Sequence, residues 1–223
     1  MSDWEAHARR EEQRYRDGED RLPAADDHDA RQRQLTRMGN AAAGAGLAEL
    51  MGGNTDRAGE WFATAVERYR ESYEHAPPGS WGRPIGILKA RILAGDWDGA
   101  EADARWTLEQ NAEDAPSPIG RYAACLALLV LGRDDEARVL ADGLRTHADF
   151  PTPVGEALAM LAAQDPVGYV EAVEAVLESF ERRDEYLEDL PVADTVLVLQ
   201  ALATRRGLAA ELSSPLLPRT SGV

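Results

Sequence analysis

The chain has 223 residues, long enough for one or two domains with a substantial core. Its 24 basic and 40 acidic side chains give a formal charge of −16, which argues against a general nucleic-acid binder and against a polybasic membrane-surface protein. A single cysteine, Cys125, excludes an intramolecular disulfide framework and a cysteine-pair zinc site.

The opening Met1-Ser2-Asp3-Trp4-Glu5 has no basic or apolar leader region, so no signal peptide is expected and the location reads as cytoplasmic. Residues 3–21 read as a polar helix and Leu22-Pro23 to Asp29 as a linker, together a first segment 1–29. Helical patterns follow at 30–51, 55–76, 83–94, 97–111, 118–131, 134–147, 153–164, 166–183 and 191–206. They make one helical domain over 30–207 with a continuous core, followed by a tail, 208–223, that reads as frayed from Ser213. No segment alternates with period two for long, so the fold class is all-α with about nine helices. The best apolar run, Ala123 to Leu131, has nine residues and suits a buried helix, so no membrane span is expected.

Two short patterns recur along these helices. The first is Pro, then Ile or Val, then a small residue: Pro84-Ile85-Gly86, Pro118-Ile119-Gly120, Pro153-Val154-Gly155 and Pro191-Val192-Ala193, spaced by 34, 35 and 38 residues. Proline suits the first helical turn, where its missing N–H costs nothing, and Ser117 and Thr152 are good N-cap types. The second pattern is Gly, four residues, Ala: Gly53 to Ala58, Gly95 to Ala100 and Gly132 to Ala137, with a weaker copy from Ala163 to Gly168. Here glycine can end one helix in the left-handed conformation while the polar residues cap the next.

Leu93-Ala94-Gly95-Asp96-Trp97-Asp98-Gly99-Ala100 and Leu131-Gly132-Arg133-Asp134-Asp135-Glu136-Ala137 carry a resemblance to the tetratricopeptide repeat family. The resemblance covers residues 30 to 206 and implies stacked helix pairs (an α-α superhelix) and a protein-binding role. The family's early-helix Trp and end-of-unit Pro are not kept regularly, so a degenerate array is expected. Arginine almost without lysine (Lys89 alone), excess carboxylate and few large aromatics resemble proteins of halophilic archaea. At about 1 M salt the Debye length falls to roughly 3 Å and self-repulsion is screened. An ordinary acidic protein of a GC-rich bacterium is the alternative.

No motif assigns a reaction. Gly44-Ala45-Gly46 is not preceded by a strand and reads as a small-residue face for close helix packing, and no phosphate loop or Gly-x-Ser-x-Gly elbow occurs. His7, His28, His75 and His147 show no zinc-hydrolase spacing; His75 and His147 read as cations favoured near helix C-termini. Cys125, inside an apolar helix, reads as a small core hydrophobe. The expectation is therefore a protein without catalytic residues, metal or cofactor.

Two surfaces are candidates for binding a protein or peptide partner, with neither nucleic acid nor membrane expected and the oligomeric state open. Trp81, Arg83, Lys89 and Arg91, then Arg121 and Tyr122 one repeat later, lie near the first helices of units, which commonly line a concave binding groove. The alternative for this set is structural, with Trp81 in the core and Arg91 paired with Glu101 or Asp103. Glu171, Glu174, Glu178 and Glu181 share one helix face, with Val170, Val173, Leu177 and Phe180 one residue earlier on an apolar face. They read as a solvated face of a high-salt protein, or as a dock for a basic partner or for hydrated cations. Acidity continues through Asp184-Glu185-Tyr186-Leu187-Glu188-Asp189 without calcium-loop spacing. Finally, Leu190-Pro191-Val192-Ala193-Asp194 and Arg205-Arg206-Gly207-Leu208, with the helical and acidic character, resemble the immunity protein 49 family. That resemblance implies neutralisation of a basic toxin through an acidic surface.

Overall fold

The Gly–x4–Ala pattern sets the local geometry. Gly53, Gly95 and Gly132 take φ of +82°, +68° and +69°, the region a Cβ disfavours. Around two of them the closing bonds are those of a Schellman turn: the Asn54 N–H donates to the Glu49 carbonyl and the Arg133 N–H to the Leu128 carbonyl, each at 2.9 Å. After Gly95 the Asp96 carboxylate caps the next helix by accepting from the Gly99 N–H at 3.0 Å. Five residues beyond each glycine, Ala58, Ala100 and Ala137 are buried.

A fourth turn sits one residue away from where the pattern places it. Gln164 holds the positive φ (+53°), the Asp165 N–H donates to the Met160 carbonyl at 3.0 Å, and Tyr169 stands where the other copies have alanine. Left-handed backbone at a side-chain-bearing residue costs about 1–2 kcal/mol. Its side chain offsets part of this, since Gln164 Nε2 donates to Asp134 Oδ2 at 2.9 Å. Tyr169 is fully buried, and its hydroxyl donates to Gln200 Oε1 at 2.9 Å. Burial pushes that phenol well above the ordinary tyrosine range.

The computed structural model describes residues 3–25 and 27–219. Among them are ten α-helices and no strand: α1 (Asp3–Arg21), α2 (His28–Met51), α3 (Thr55–His75), α4 (Gly82–Leu93), α5 (Trp97–Glu109), α6 (Pro118–Val130), α7 (Asp134–Arg145), α8 (Thr152–Ala162), α9 (Pro166–Glu181) and α10 (Asp194–Thr204). None of these is long and apolar enough to cross a membrane.

Helix starts follow side-chain chemistry. Asp27 accepts from the Ala30 N–H at 2.6 Å, so α2 begins two residues before the expected 30. Ser117 caps α6 ahead of Pro118, as its sequence suggests. Thr152, expected to cap, is instead the first residue of α8, behind Pro151. Pro191 starts no helix: Leu190 to Ala193 run as a connection, closed by a Val192 N–H to Leu190 carbonyl bond of 2.8 Å, and α10 begins at Asp194.

The chain forms two compact units, one of residues 1–95, 185–192 and 213–223 and the other of 96–184 and 193–212. In the first, α1 and α3 both pack on α2, and α4 packs on α3. Close approach rests on α2 glycines: a Cβ at Gly39 would lie 2.7 Å from the Tyr69 ring, one at Gly46 2.7 Å from the Phe62 ring, and one at Gly44 3.1 Å from Glu11. Thus the small-residue stretch of α2 serves packing. The polar helix α1 belongs to this unit, and so do the tail residues Leu216 and Leu217, which are buried where the sequence suggests fraying.

In the second unit successive helices α5 to α9 each pack on the next, and α10 packs on α8 and α9. Every residue from Tyr122 to Val130 of α6 is buried, the environment that an all-round apolar helix requires. The Pro–Val–Gly element of α8 has a packing function here: a Cβ at Gly155 would lie 2.5 Å from the Arg145 Cα at the end of α7. Gly86 of the first unit plays the same part: a Cβ there would lie 2.7 Å from the Tyr69 ring.

Candidate interaction surface

Helix α9 opens on Asp165, whose Oδ1 accepts from the Val167 and Gly168 amides at 3.1 and 3.0 Å, with Pro166 in the first turn. Its inward face buries Tyr169, Ala172, Val173, Val176, Leu177 and Phe180. Glu171, Glu174, Glu178 and Glu181 are all exposed on the other side, as their spacing predicts. From the first to the last of them is about 15 Å along the axis. Three successive like-charge pairs at i,i+3 or i,i+4 cost together about 1 kcal/mol in dilute buffer. Glu178 and Glu181 also stand at the negative end of the helix dipole, which disfavours anions. Arg182 answers Glu178 at 2.7 Å, and Arg183 lies over the Phe180 ring at 3.6 Å. The ridge is held by the apolar packing beneath it, against its own electrostatics.

Of the acidic run 184–189, residues 185–189 belong to a different unit from α9. Helix α9 ends at Glu181, and residues 185–192 belong to the first unit. There Glu188 pairs with Arg14, and its Oε1 accepts from Asn40 Nδ2 at 3.1 Å.

The basic and aromatic set is divided between the units, Trp81, Arg83, Lys89 and Arg91 in the first and Arg121 and Tyr122 in the second. Trp81 and Tyr122 are each 8% exposed, and Tyr122 packs against Phe150 with ring centroids 5.4 Å apart. Arg83 donates to Ser72 Oγ at 3.2 Å and to Gln32 Oε1, and burial lowers its pKa from the ordinary arginine value. Arg121 Nε donates to the Ala115 carbonyl at 3.1 Å. Lys89 and Arg91 are half-buried on α4. Arg91 sits close enough to Arg70 that its like charge adds to burial in lowering the Arg70 pKa. Arg70 was not singled out by the sequence, because Arg91 lies on another helix.

Two polar networks also escape sequence reasoning. In the second unit, Arg206 Nη2 meets Asp134 Oδ1 at 2.5 Å and the Leu129 carbonyl at 2.6 Å, while Nη1 donates to the Leu202 carbonyl at 3.1 Å. Asp134 also accepts from Gln164, so the α6–α7 turn, the α8–α9 turn and the end of α10 are joined through one carboxylate. Arg205 lies over the Trp97 ring at 4.3 Å. In the first unit, the fully buried Glu11 of α1 accepts from Arg10 Nε at 2.9 Å and Arg14 Nη1 at 2.8 Å. Arg10 Nη2 donates to the Glu188 carbonyl at 2.6 Å, and the Tyr69 hydroxyl donates to Asn40 Oδ1 at 2.9 Å. Arg10 Nη2 also donates to the Asp189 carbonyl at 3.3 Å. Glu188 and Asp189 take φ of +57° and +52°, strain of order 1–3 kcal/mol each.

Cys125 is fully buried on α6, its Sγ donating to the Ala137 carbonyl at 3.6 Å. Burial pushes the thiol up to about 12, so the nucleophilic thiolate is scarce at neutral pH. Labelling with a thiol-specific disulfide reagent at pH 8 is expected to be at least 100-fold slower in the native chain than in 6 M guanidinium chloride. Equal rates would show that the site is open.

Comparison of the chain with family models, with curated proteins and with solved structures returns no match.

Proposed function

We propose that the protein is a non-catalytic, cytoplasmic interaction module in which tetratricopeptide-like helix pairs present the α9 carboxylate ridge to a basic protein or peptide. The observation that carries this reading is the exposure together of Glu171, Glu174, Glu178 and Glu181 on a helix whose other face is buried. A partner that supplies cations relieves the mutual repulsion of the four carboxylates, so association gains energy that the isolated helix lacks. The Trp81 and Arg121 set supports a groove less well, since its two aromatics are buried and its Arg83 and Arg121 are engaged within the chain. Toxin neutralisation is a second reading within the same chemistry, favoured by the ridge and by the charge of −16. In that reading recognition rests on α9, because Arg206 and the residues before α10 are occupied by intrachain contacts.

The test is affinity capture and identification of partners from the host, with wild type and with Glu171→Lys/Glu174→Lys/Glu178→Lys/Glu181→Lys. The expected result is a basic partner whose binding weakens with salt and falls at least tenfold in the variant, with the helical circular dichroism unchanged. A partner held equally by both proteins, or none, would leave the acidity as adaptation to a salty host and overturn the proposal. A captured partner that is toxic alone and harmless when co-expressed would select the toxin reading.

A further inference from the structure

His28 is the first residue of α2 and His75 the last of α3, so they meet at the open end of the hairpin whose closed end is the Gly53 turn. Their ring centroids are 4.9 Å apart with planes at 56°, and the two Nδ1 atoms face one another at 3.0 Å. Two ring nitrogens so placed share either one proton or one metal ion. As a hydrogen bond the contact needs one Nδ1 protonated and the other bare. With both bare, the pair is a chelate of neutral imidazoles, a donor set suited to late first-row divalent ions.

The distance discriminates among geometries. A metal at the usual imidazole length of about 2.0–2.1 Å from both nitrogens would subtend about 91–97° across a 3.0 Å separation. That is close to the right angle of a tetragonal site, whereas a tetrahedral ion would hold the two nitrogens about 3.3 Å apart. We infer that His28 and His75 form a two-imidazole binding site for a divalent late first-row metal ion, Cu(II) ahead of Ni(II) and Zn(II), with water completing the shell.

The surroundings favour a cation. His75 stands at the C-terminal, negative end of α3. Asp27, Asp29 and Glu74 are the immediate chain neighbours of the two histidines and are exposed, Asp27 capping α2 and Asp29 pairing with Arg33. Just inside the pair, Arg31 bonds Glu71 at 2.9 Å and Thr36 Oγ1 lies 2.8 Å from Ser72 Oγ, so α2 and α3 are already braced where the ligands converge. Among the described residues no group of three or more His, Cys, Asp and Glu side chains could hold a metal, so the site offers two protein ligands.

The site is independent of the α9 ridge, and its test uses the tag-free full-length chain. Cu(II) titration followed by electron paramagnetic resonance is expected to give one bound ion with hyperfine coupling from two imidazole nitrogens, bound more tightly than Ni(II) or Zn(II). His28→Ala, at an exposed first-turn position, is expected to weaken binding at least tenfold, as is His75→Ala. His147→Ala and His7→Ala are expected to leave it within twofold. Cu(II) should also raise the melting temperature of the wild type by mass action and not that of the His28→Ala variant. Unchanged Cu(II) affinity in His28→Ala, with native circular dichroism, overturns the site; so does loss of binding in His7→Ala or His147→Ala instead.

Discussion

Asp134→Ala is expected to lower the stability of the second unit by about 3 kcal/mol or more, measured from the urea transition by circular dichroism. The reason is what the substitution leaves behind. The Arg206 side chain is 9% exposed, and Asp134 is the acid that neutralises it. Removing one partner of a buried pair strands the other charge, which costs more than the pair itself contributes. The loss also releases Gln164, whose left-handed backbone is braced by the same carboxylate. Arg206→Ala in the Asp134→Ala background should therefore recover part of the loss, a non-additivity expected of residues in one network. Asp135→Ala, one residue along and exposed, should leave the transition in place. A loss below 1 kcal/mol for Asp134→Ala would mean that solvent reaches the pair.

Gly155→Ala and Gly143→Ala should move stability in opposite directions, although both place alanine in a helix. Alanine is the better helix former by about 0.8–1 kcal/mol. At Gly143, on α7, an added Cβ meets nothing within 4 Å, so a gain of about 0.5–1 kcal/mol is expected. At Gly155 it would lie 2.5 Å from the Arg145 Cα and 2.6 Å from its amide nitrogen. Those are backbone atoms and cannot rotate away, so α8 must shift from the end of α7, at about 3 kcal/mol, the upper part of the overpacking range. Paired melts decide the matter. Stabilisation by Gly155→Ala would show that the two helices do not approach as described.

The turns between the helices were legible in the sequence only where local chemistry sets them. Glycine before a polar cap and alanine five residues on is a local pattern, because a left-handed residue ends a helix whatever lies around it. The turns at Gly53, Gly95 and Gly132 were therefore legible. The turn at Gln164 was misplaced by one residue, since its strain is tolerated through Asp134, 30 positions away. Pro191 resembled the other helix-starting prolines, but residues 185–192 and 193–212 belong to different units, so the chain there makes a connection instead of a helix.

Periodicity by itself determined that the chain is all-α, roughly where its helices run, and that Glu171, Glu174, Glu178 and Glu181 share a solvent face. Spacing of three and four residues fixes the side of a helix without reference to the rest of the molecule. Only the tertiary structure decided the roles of the cations and histidines. In the sequence Arg83 and Arg121 read as candidates for a binding groove and Arg206 as part of a family resemblance, whereas in the structure each is bound to an acceptor six or more residues away. His28 and His75 lie 47 residues apart, and no helical period relates them. Their meeting depends on how α2 and α3 pack, and side-chain pairing across helices is set by that packing, which a local pattern does not encode.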